Sequence, residues 1–469
     1  MGLRTRVRWS AATVLVVSVL ATSAQAQPFA DPFVGSSGLG DPYYPDDGNG
    51  GYQVEHYEVA ITYDPPSRHL AGTARLNAVA AQAMRVFDLD FAGPPIHRVT
   101  VNDLPAGFVR HGDHKVSVSP VLPVLPGLPF TVTVEYAGPV AETSGSGWMF
   151  SPDGGAFVAG QPHSAASWYP LNDTVTDKAT FELRVTVPQE WQVVSNGVRV
   201  REVIDGPNRI VEWASRHPTV GYLTTVAIDH FDFLYQTRAD GTPLISAFAP
   251  GADRGRELER RLPEVLDFLE SLYGPYPFES GGGIYVDTEL DFSLETQTRP
   301  LYAPWADLET VVHENAHQWW GDSTSIRRWS DICLNECLAS YTADYLWPER
   351  KEGVDIDARY HKTVSEYLDD PEFWRIPLQD PGAGKEFTVV YRRGPLFLHA
   401  LRRFIGDDVF FGAIRDFVQT HAYGNASMPE FRSFVQSRTG IDLTAFFEAW
   451  LDHETVPAPA YLYPGSLRI

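Results

Sequence analysis

The chain has 469 residues, 43% of them apolar and 21% charged, enough for two or three domains with full cores and within the range of soluble globular proteins. Its formal net charge of -23 argues against nucleic acid or an anionic membrane surface as a partner, because both carry charge of the same sign.

Residues 1–26 read as a secretory signal peptide. Arg4, Arg6 and Arg8 precede an apolar run from Ala11 to Ala21, and Ala24-Gln25-Ala26 offers small residues for cleavage. The run is shorter than a membrane span, and no later stretch approaches spanning length. The mature protein is therefore expected to be secreted, with no membrane anchor after cleavage. Residues 27–50, rich in Gly, Pro, Asp and Ser, read as a flexible leader. From 51 to 248 short alternating runs rich in β-branched residues, such as those starting at Glu55, Phe130 and Thr180, predict an N-terminal all-β domain of saddle or sandwich type.

The pattern then turns helical, and 249–455 is expected to form a mainly helical domain, giving a two-domain, α+β chain. Arg254 to Tyr273 reads as one amphipathic helix, stopped at Gly274-Pro275-Tyr276-Pro277. A short Gly-rich strand segment is expected from Gly281 to Leu290. Residues 456–469 read as a tail.

Inside the helical part lies His313-Glu314-Asn315-Ala316-His317, followed at a distance by Glu336. Two histidines four apart on a helix lie on one face, about one turn apart, so both imidazoles reach one metal ion. Glu336 on a second helix supplies a third ligand and leaves the fourth tetrahedral position to water, as in a catalytic zinc site. Glu314 stands beside the first ligand, where a general base belongs. Leu308, Val311, Val312, Ala316, Trp319 and Trp320 make this helix a buried one, with Asp307 as N-cap, Gly321 as its stop and Pro348 ending the next helix. Charged and imidazole groups in such a helix are costly unless paired or metal-bound. The two cysteines, Cys333 and Cys337, flank Glu336. Their spacing leaves open one disulfide or two buried thiols.

These segments together resemble the aminopeptidase N family of zinc metallopeptidases, the group that includes the bifunctional leukotriene hydrolase. His313 to Asp322 looks like the family's metal helix, and Trp329 to Glu336 is similar to its second ligand helix at the family's spacing. Asp291-Phe-Ser-Leu-Glu295 lies where the family carries Gly-Ala-Met-Glu-Asn. Tyr391-Arg-Arg-Gly394 looks like its Tyr-x-Lys-Gly motif, and Gln161 to Phe181 is similar to its β-domain segment. The resemblance covers about Gly51 to Leu451. It implies a β saddle followed by a thermolysin-like catalytic domain, in a short form lacking the family's C-terminal helical domain.

The resemblance further implies one zinc ion per chain on His313, His317 and Glu336, with Glu314 as base. Tyr391 would donate to the oxyanion, Glu295 would bind the substrate's α-amine, and Gln161 would add a polar contact beside it. The implied activity is removal of N-terminal residues from peptides with a free N-terminus; the alternative is a zinc endopeptidase on the same machinery, which has no use for Glu295. Phe292, Ser293 and Thr296 depart from the amine-binding motif. Cys333 and Cys337 stand where the family usually has Trp and Gly, a double change that favours the disulfide.

Overall fold

The computed structural model describes residues 33–143 and 145–468. The expected signal peptide, and the expected leader up to residue 32, lie outside the described residues.

Alternation, interrupted in the first strand by one bulge between Val54 and His56, builds the N-terminal half. In β1 (Tyr52–Asp64) the side chains of Val54, Val59, Ile61 and Tyr63 are buried while Glu58 and Thr62 face out. The strands β2 (His69–Ala80), β3 (Ile96–Val101), β4 (Leu104–Pro105), β5 (Pro129–Pro139), β6 (Ala179–Pro188), β7 (Val198–Asp205) and β8 (Asn208–Thr219) join it in an eight-stranded sheet, in the order β7-β8-β6-β1-β2-β5-β3-β4. β1 and β6 run parallel, with Val59 opposite Leu183, and β1 and β2 antiparallel, with Val59 opposite Ala74. A four-stranded sheet containing Gly147–Phe150 and Val226–Asp229 shares its core, where Trp148, Phe181, Trp213 and Val226 are buried together. This is the expected β-rich domain.

The helical part has its own core around Leu269, Trp320, Leu338, Phe397 and Trp450. The division is not clean: Tyr222 from the β half packs in the helical core, and Leu294 and Leu301 pack in the β core. The helix expected over Arg254–Tyr273 is two helices, Arg254–Glu259 and α1 (Leu262–Tyr273), because Pro263 lacks the N–H that would continue the first. The expected strand segment narrows to Ile284–Tyr285, parallel to Pro243–Phe248 and to Leu301–Tyr302. Ahead of it Gly282 lies at φ 138°, where a Cβ would sit 1.9 Å from the Ile245 carbonyl oxygen.

The ligand helices are α2 (Leu308–Ala316) and α3 (Cys333–Tyr341). Pro348 does not end the second: the chain widens to i→i+5 turns over Thr342–Leu346 and Pro348–Glu352, which accommodates the missing proline N–H, and Gly353 at φ 70° stops it. α4 (Val390–Ile405), α5 (Asp407–Thr420) and α6 (Met428–Ser437) complete the bundle.

The reading of 27–50 as a flexible leader is corrected from Phe33 onward, because this stretch packs on both halves. Asn49 is fully buried; its amide donates to Asp90 at 2.7 Å, and its oxygen accepts from Lys115 at 2.9 Å. Asp41 accepts the Trp329 N–H at 2.9 Å, and the Tyr44 hydroxyl donates to Glu386 at 3.0 Å. The tail also packs: Leu462 and Leu467 are buried, and Ser466 donates to Asp357 at 2.9 Å. The Gly, Pro, Asp and Ser content of the leader does not show the few anchors that hold it. Asn49→Ala should therefore lower stability by about 2 kcal/mol, since it leaves Asp90 and Lys115 buried with fewer partners; the denaturant midpoint of the purified chain checks this.

Candidate metal centre

Asp307 caps α2 as expected, its carboxylate accepting the Thr310 N–H at 3.0 Å while Thr310 answers the Asp307 N–H at 3.4 Å. That cap fixes the start of the helix. At its other end regular α-helix stops at Ala316, but the His317 N–H still bonds to the His313 carbonyl at 3.3 Å. The imidazoles therefore remain one turn apart on one face.

The Nε2 atoms of His313 and His317 stand 3.1 Å apart, and the Glu336 Oε2 lies 3.4 Å from each. Zinc bound tetrahedrally at about 2.0–2.1 Å from such atoms separates them by about 3.3 Å. The donor set thus fits a zinc ion in chemistry and spacing. It is the one such group of His, Cys, Asp or Glu among the described residues. The His317 Nδ1 donates to the Trp320 carbonyl at 2.8 Å, which leaves Nε2 free to face a metal. The buried Glu336 Oε2 has no hydrogen-bond donor of its own, as expected of an atom reserved for an ion.

Glu314 is buried beside the ligands. Burial pushes its carboxyl well above the usual range; His317 opposes that shift, and Glu295 and Glu336 add to it.

Tyr391 opens the first turn of α4, with its ring 6.1 Å from that of His313. Packing against the site, with the carboxylates of Glu336, Glu295 and Glu314 nearby, raises its phenol, so it stays a proton donor. Gln161 and Glu295 line the same cavity of about 280 Å³ as the ligands. The structure therefore brings all seven residues singled out in the sequence to one place. Arg299 and Asn335 lie outside that cavity; the Arg299 guanidinium donates to the Gly197 carbonyl at 2.8 Å.

The two cysteines form a disulfide with Cα atoms 4.8 Å apart, in the first turn of α3 and flanking Glu336. α4 packs directly on it. A Cβ on Gly394 would meet the Cys337 Sγ at 2.5 Å, so glycine here lets the helix bearing Tyr391 approach the helix bearing Glu336.

Sequence reasoning missed the residues that hold Glu295. The Tyr222 hydroxyl donates to its Oε1 at 3.0 Å, and the Gln318 amide donates to its backbone oxygen at 3.1 Å. Asn196 and Gly197 tether the same loop through Gln297 and Thr298, each at 2.7 Å. Lys178, inside the β-domain segment already noted, donates to the carbonyls of Asp322, Ser323 and Gly424 at 2.7, 2.9 and 3.3 Å. Tyr222 is one tyrosine among 21, and nothing local marks it, since its partner is far away in sequence.

Comparison with known proteins agrees with this geometry. Residues 53–223 match the model of the peptidase M1 N-terminal domain, and residues 288–450 match that of the peptidase family M1 domain. The chain belongs to the M1 peptidase family. Aminopeptidase M1 of Arabidopsis thaliana is 22% identical to this M1 chain over 334 residues, covering 66% of it and 38% of the relative. Endoplasmic reticulum aminopeptidase 1 of Homo sapiens is 22% identical over 422 residues, covering 79% and 44%. The M1 chain thus spans less than half the length of these two relatives. An M1 zinc metallopeptidase from Deinococcus radiodurans superimposes with a TM-score of 0.82 at 26% identity, covering 90% of this chain and 98% of that one. The family and the donor set agree on one catalytic zinc per chain. His317→Ala should accordingly reduce bound zinc below about a tenth of an equivalent after dialysis, because two ligands remain of three; elemental analysis of the dialysed protein reads it.

Proposed function

We propose that this M1 chain is a secreted aminopeptidase that removes N-terminal residues from peptides, and that Glu295 selects them. The observation that carries the reading is a buried carboxylate, 2% exposed, fixed by Tyr222 in the cavity that the zinc ligands line. A peptide α-amine has a pKa of about 7.7–8.0 and is largely charged at neutral pH, so this carboxylate has an obvious counter-ion in the substrate. An endopeptidase offers none. The comparisons support the same reading: relatives are named aminopeptidases, and a variant of the Deinococcus enzyme is described with a Tyr-Ser-Ala substrate bound.

In this reading His313, His317 and Glu336 hold zinc, which acidifies a water and polarises the scissile carbonyl when bound. Glu314 takes the proton of the attacking water and delivers it to the leaving amine. The Tyr391 hydroxyl donates to the oxygen that gains charge. Glu295 fixes the amine, with Gln161 beside it, so that only the first peptide bond reaches the metal. The β domain, 51–248, then supplies Gln161 and Tyr222 to a catalytic domain spanning 249–455. Export rests on the sequence of residues 1–26.

Glu314→Gln should keep zinc and lose at least about a thousandfold in kcat, because only the proton carrier is removed; a metal assay and a turnover assay on one sample separate the two. Glu295→Ala should raise KM for free-amine peptides by about tenfold or more, and Tyr222→Phe by less, with kcat changing less than KM in both. The deciding experiment incubates a peptide and its N-acetylated copy with the mature protein, with and without chelator. Stepwise trimming of the free peptide alone, lost with chelator and restored by zinc, supports the reading. Internal cuts in both copies would sink it in favour of an endopeptidase.

A further inference from the structure

The cavity over the metal centre continues past the ligands, and its far end is built differently from the end that holds Glu295. Glu295 is tied to the C-terminal end of α2, since its backbone oxygen accepts from Gln318, next to His317. Glu309 lies at the opposite end of the same helix, one turn before His313. The span from Glu309 to Gln318 is about 13 Å at helical rise, and both histidine ligands lie within it. A peptide whose amine sits on Glu295 and whose first carbonyl reaches the ligands must therefore carry its second residue toward Glu309.

Asp344 meets Glu309 there. It comes from the widened turn Thr342–Leu346 that follows α3 and packs on α2. Glu309 is exposed and Asp344 half-buried, and both line the cavity. The two carboxyl groups open on the same wall of the cavity, and the Glu309 charge adds to the burial that raises the Asp344 carboxyl. Among the described residues no lysine or arginine lines this cavity. Arg359 and Arg392 do not line it, though their charges act on the Asp344 carboxyl; Arg359 donates to the Asp344 backbone carbonyl and Arg392 to the Tyr367 hydroxyl at 2.7 Å.

We propose that Glu309 and Asp344 form a subsite for a cationic side chain on the substrate's second residue, so that the enzyme favours peptides with lysine or arginine there. The inference rests on the aminopeptidase reading, which sets the direction of the peptide. Burial, then Glu309, push the Asp344 carboxyl up to about 8 against the opposing charges of Arg359 and Arg392, and an entering ammonium or guanidinium group favours its ionised form. The neutral first residue stays at the other end, among Gln161, Phe292 and Ser293, and is unaffected by this pair.

The test compares Ala-Lys-Ala, Ala-Arg-Ala, Ala-Leu-Ala and Ala-Glu-Ala, with N-acetylated copies, on the zinc-loaded full-length mature protein. The basic peptides should exceed Ala-Leu-Ala about fivefold or more in kcat/KM, with Ala-Glu-Ala below it. Glu309→Gln and Asp344→Asn should each shrink the basic-to-leucine ratio toward one. Glu309→Lys, at an exposed position that folding tolerates, should raise Ala-Glu-Ala above Ala-Lys-Ala. Equal kcat/KM for the lysine and leucine peptides, with only free-amine copies cut, would overturn this inference and leave the aminopeptidase reading standing. A wild-type preference that survives Glu309→Lys would also overturn it. Cleavage of the N-acetylated copies would remove the aminopeptidase reading and this inference with it.

Discussion

Three donor atoms, 3.1 to 3.4 Å apart, must be held together in a buried place. Two of them are imidazole nitrogens and the third a carboxylate oxygen, groups that are costly to bury unless a proton or an ion joins them. Several of the surrounding contacts hold that triangle in place. The Asp307 cap fixes where α2 begins, the Trp320 carbonyl fixes the ring of His317, and the disulfide stiffens the first turn of α3 around Glu336. Gly394 then allows α4 to lie against that disulfide, so Tyr391 is placed by the same contact that supports the third ligand.

The β half is part of the site as well as a support for it. Asn196 and Gly197 hold the loop that carries Glu295, Tyr222 holds its carboxylate, and Lys178 gathers three carbonyls from the region behind the zinc helix. Burial lowers the Lys178 amine to about 7, and its three carbonyl partners replace part of the hydration it gave up. The site therefore depends on two separately cored regions meeting in one register, and the Tyr222 hydroxyl is the point at which that register reaches Glu295.

The sequence and the fold agree where the determinants are local. The ligands His313 and His317 share one helical turn, Asp307 and Thr310 form one cap, and the alternation in β1 is complete within its own length. Agreement weakens where local signals compete: Pro263 divides what reads as one helix, and Pro348 sits inside what reads as its end. It fails where the partner is remote. Asn49 resembles any loop asparagine until Asp90, Lys115 and Asn172 surround it. Tyr222 and Asp344 carry no mark of their position, because what defines them is a remote partner for the one and, for the other, a cavity assembled from five distant segments. The motif resemblance reached Glu295, Tyr391 and Gln161 because it carries information about remote neighbours that periodicity lacks.

The strap formed by Asp41, Tyr44 and Asn49 closes a very long loop of chain. Tyr44 bonds to Glu386 across a sequence separation of 342 residues, and Asp41 to Trp329 across 288. Such contacts form after the segments between them have found their places, because the chain entropy lost on closing the loop is recovered only once a docking surface exists. During synthesis Asn49 finds its partners Asp90, Lys115 and Asn172 within the newly made β half, whereas Asp41 and Tyr44 wait for Trp329 and Glu386. The clasp between the two regions is thus among the last features of the molecule to be completed, and a protease that trims the chain before that moment removes a fastener whose loss the finished β core alone would not reveal.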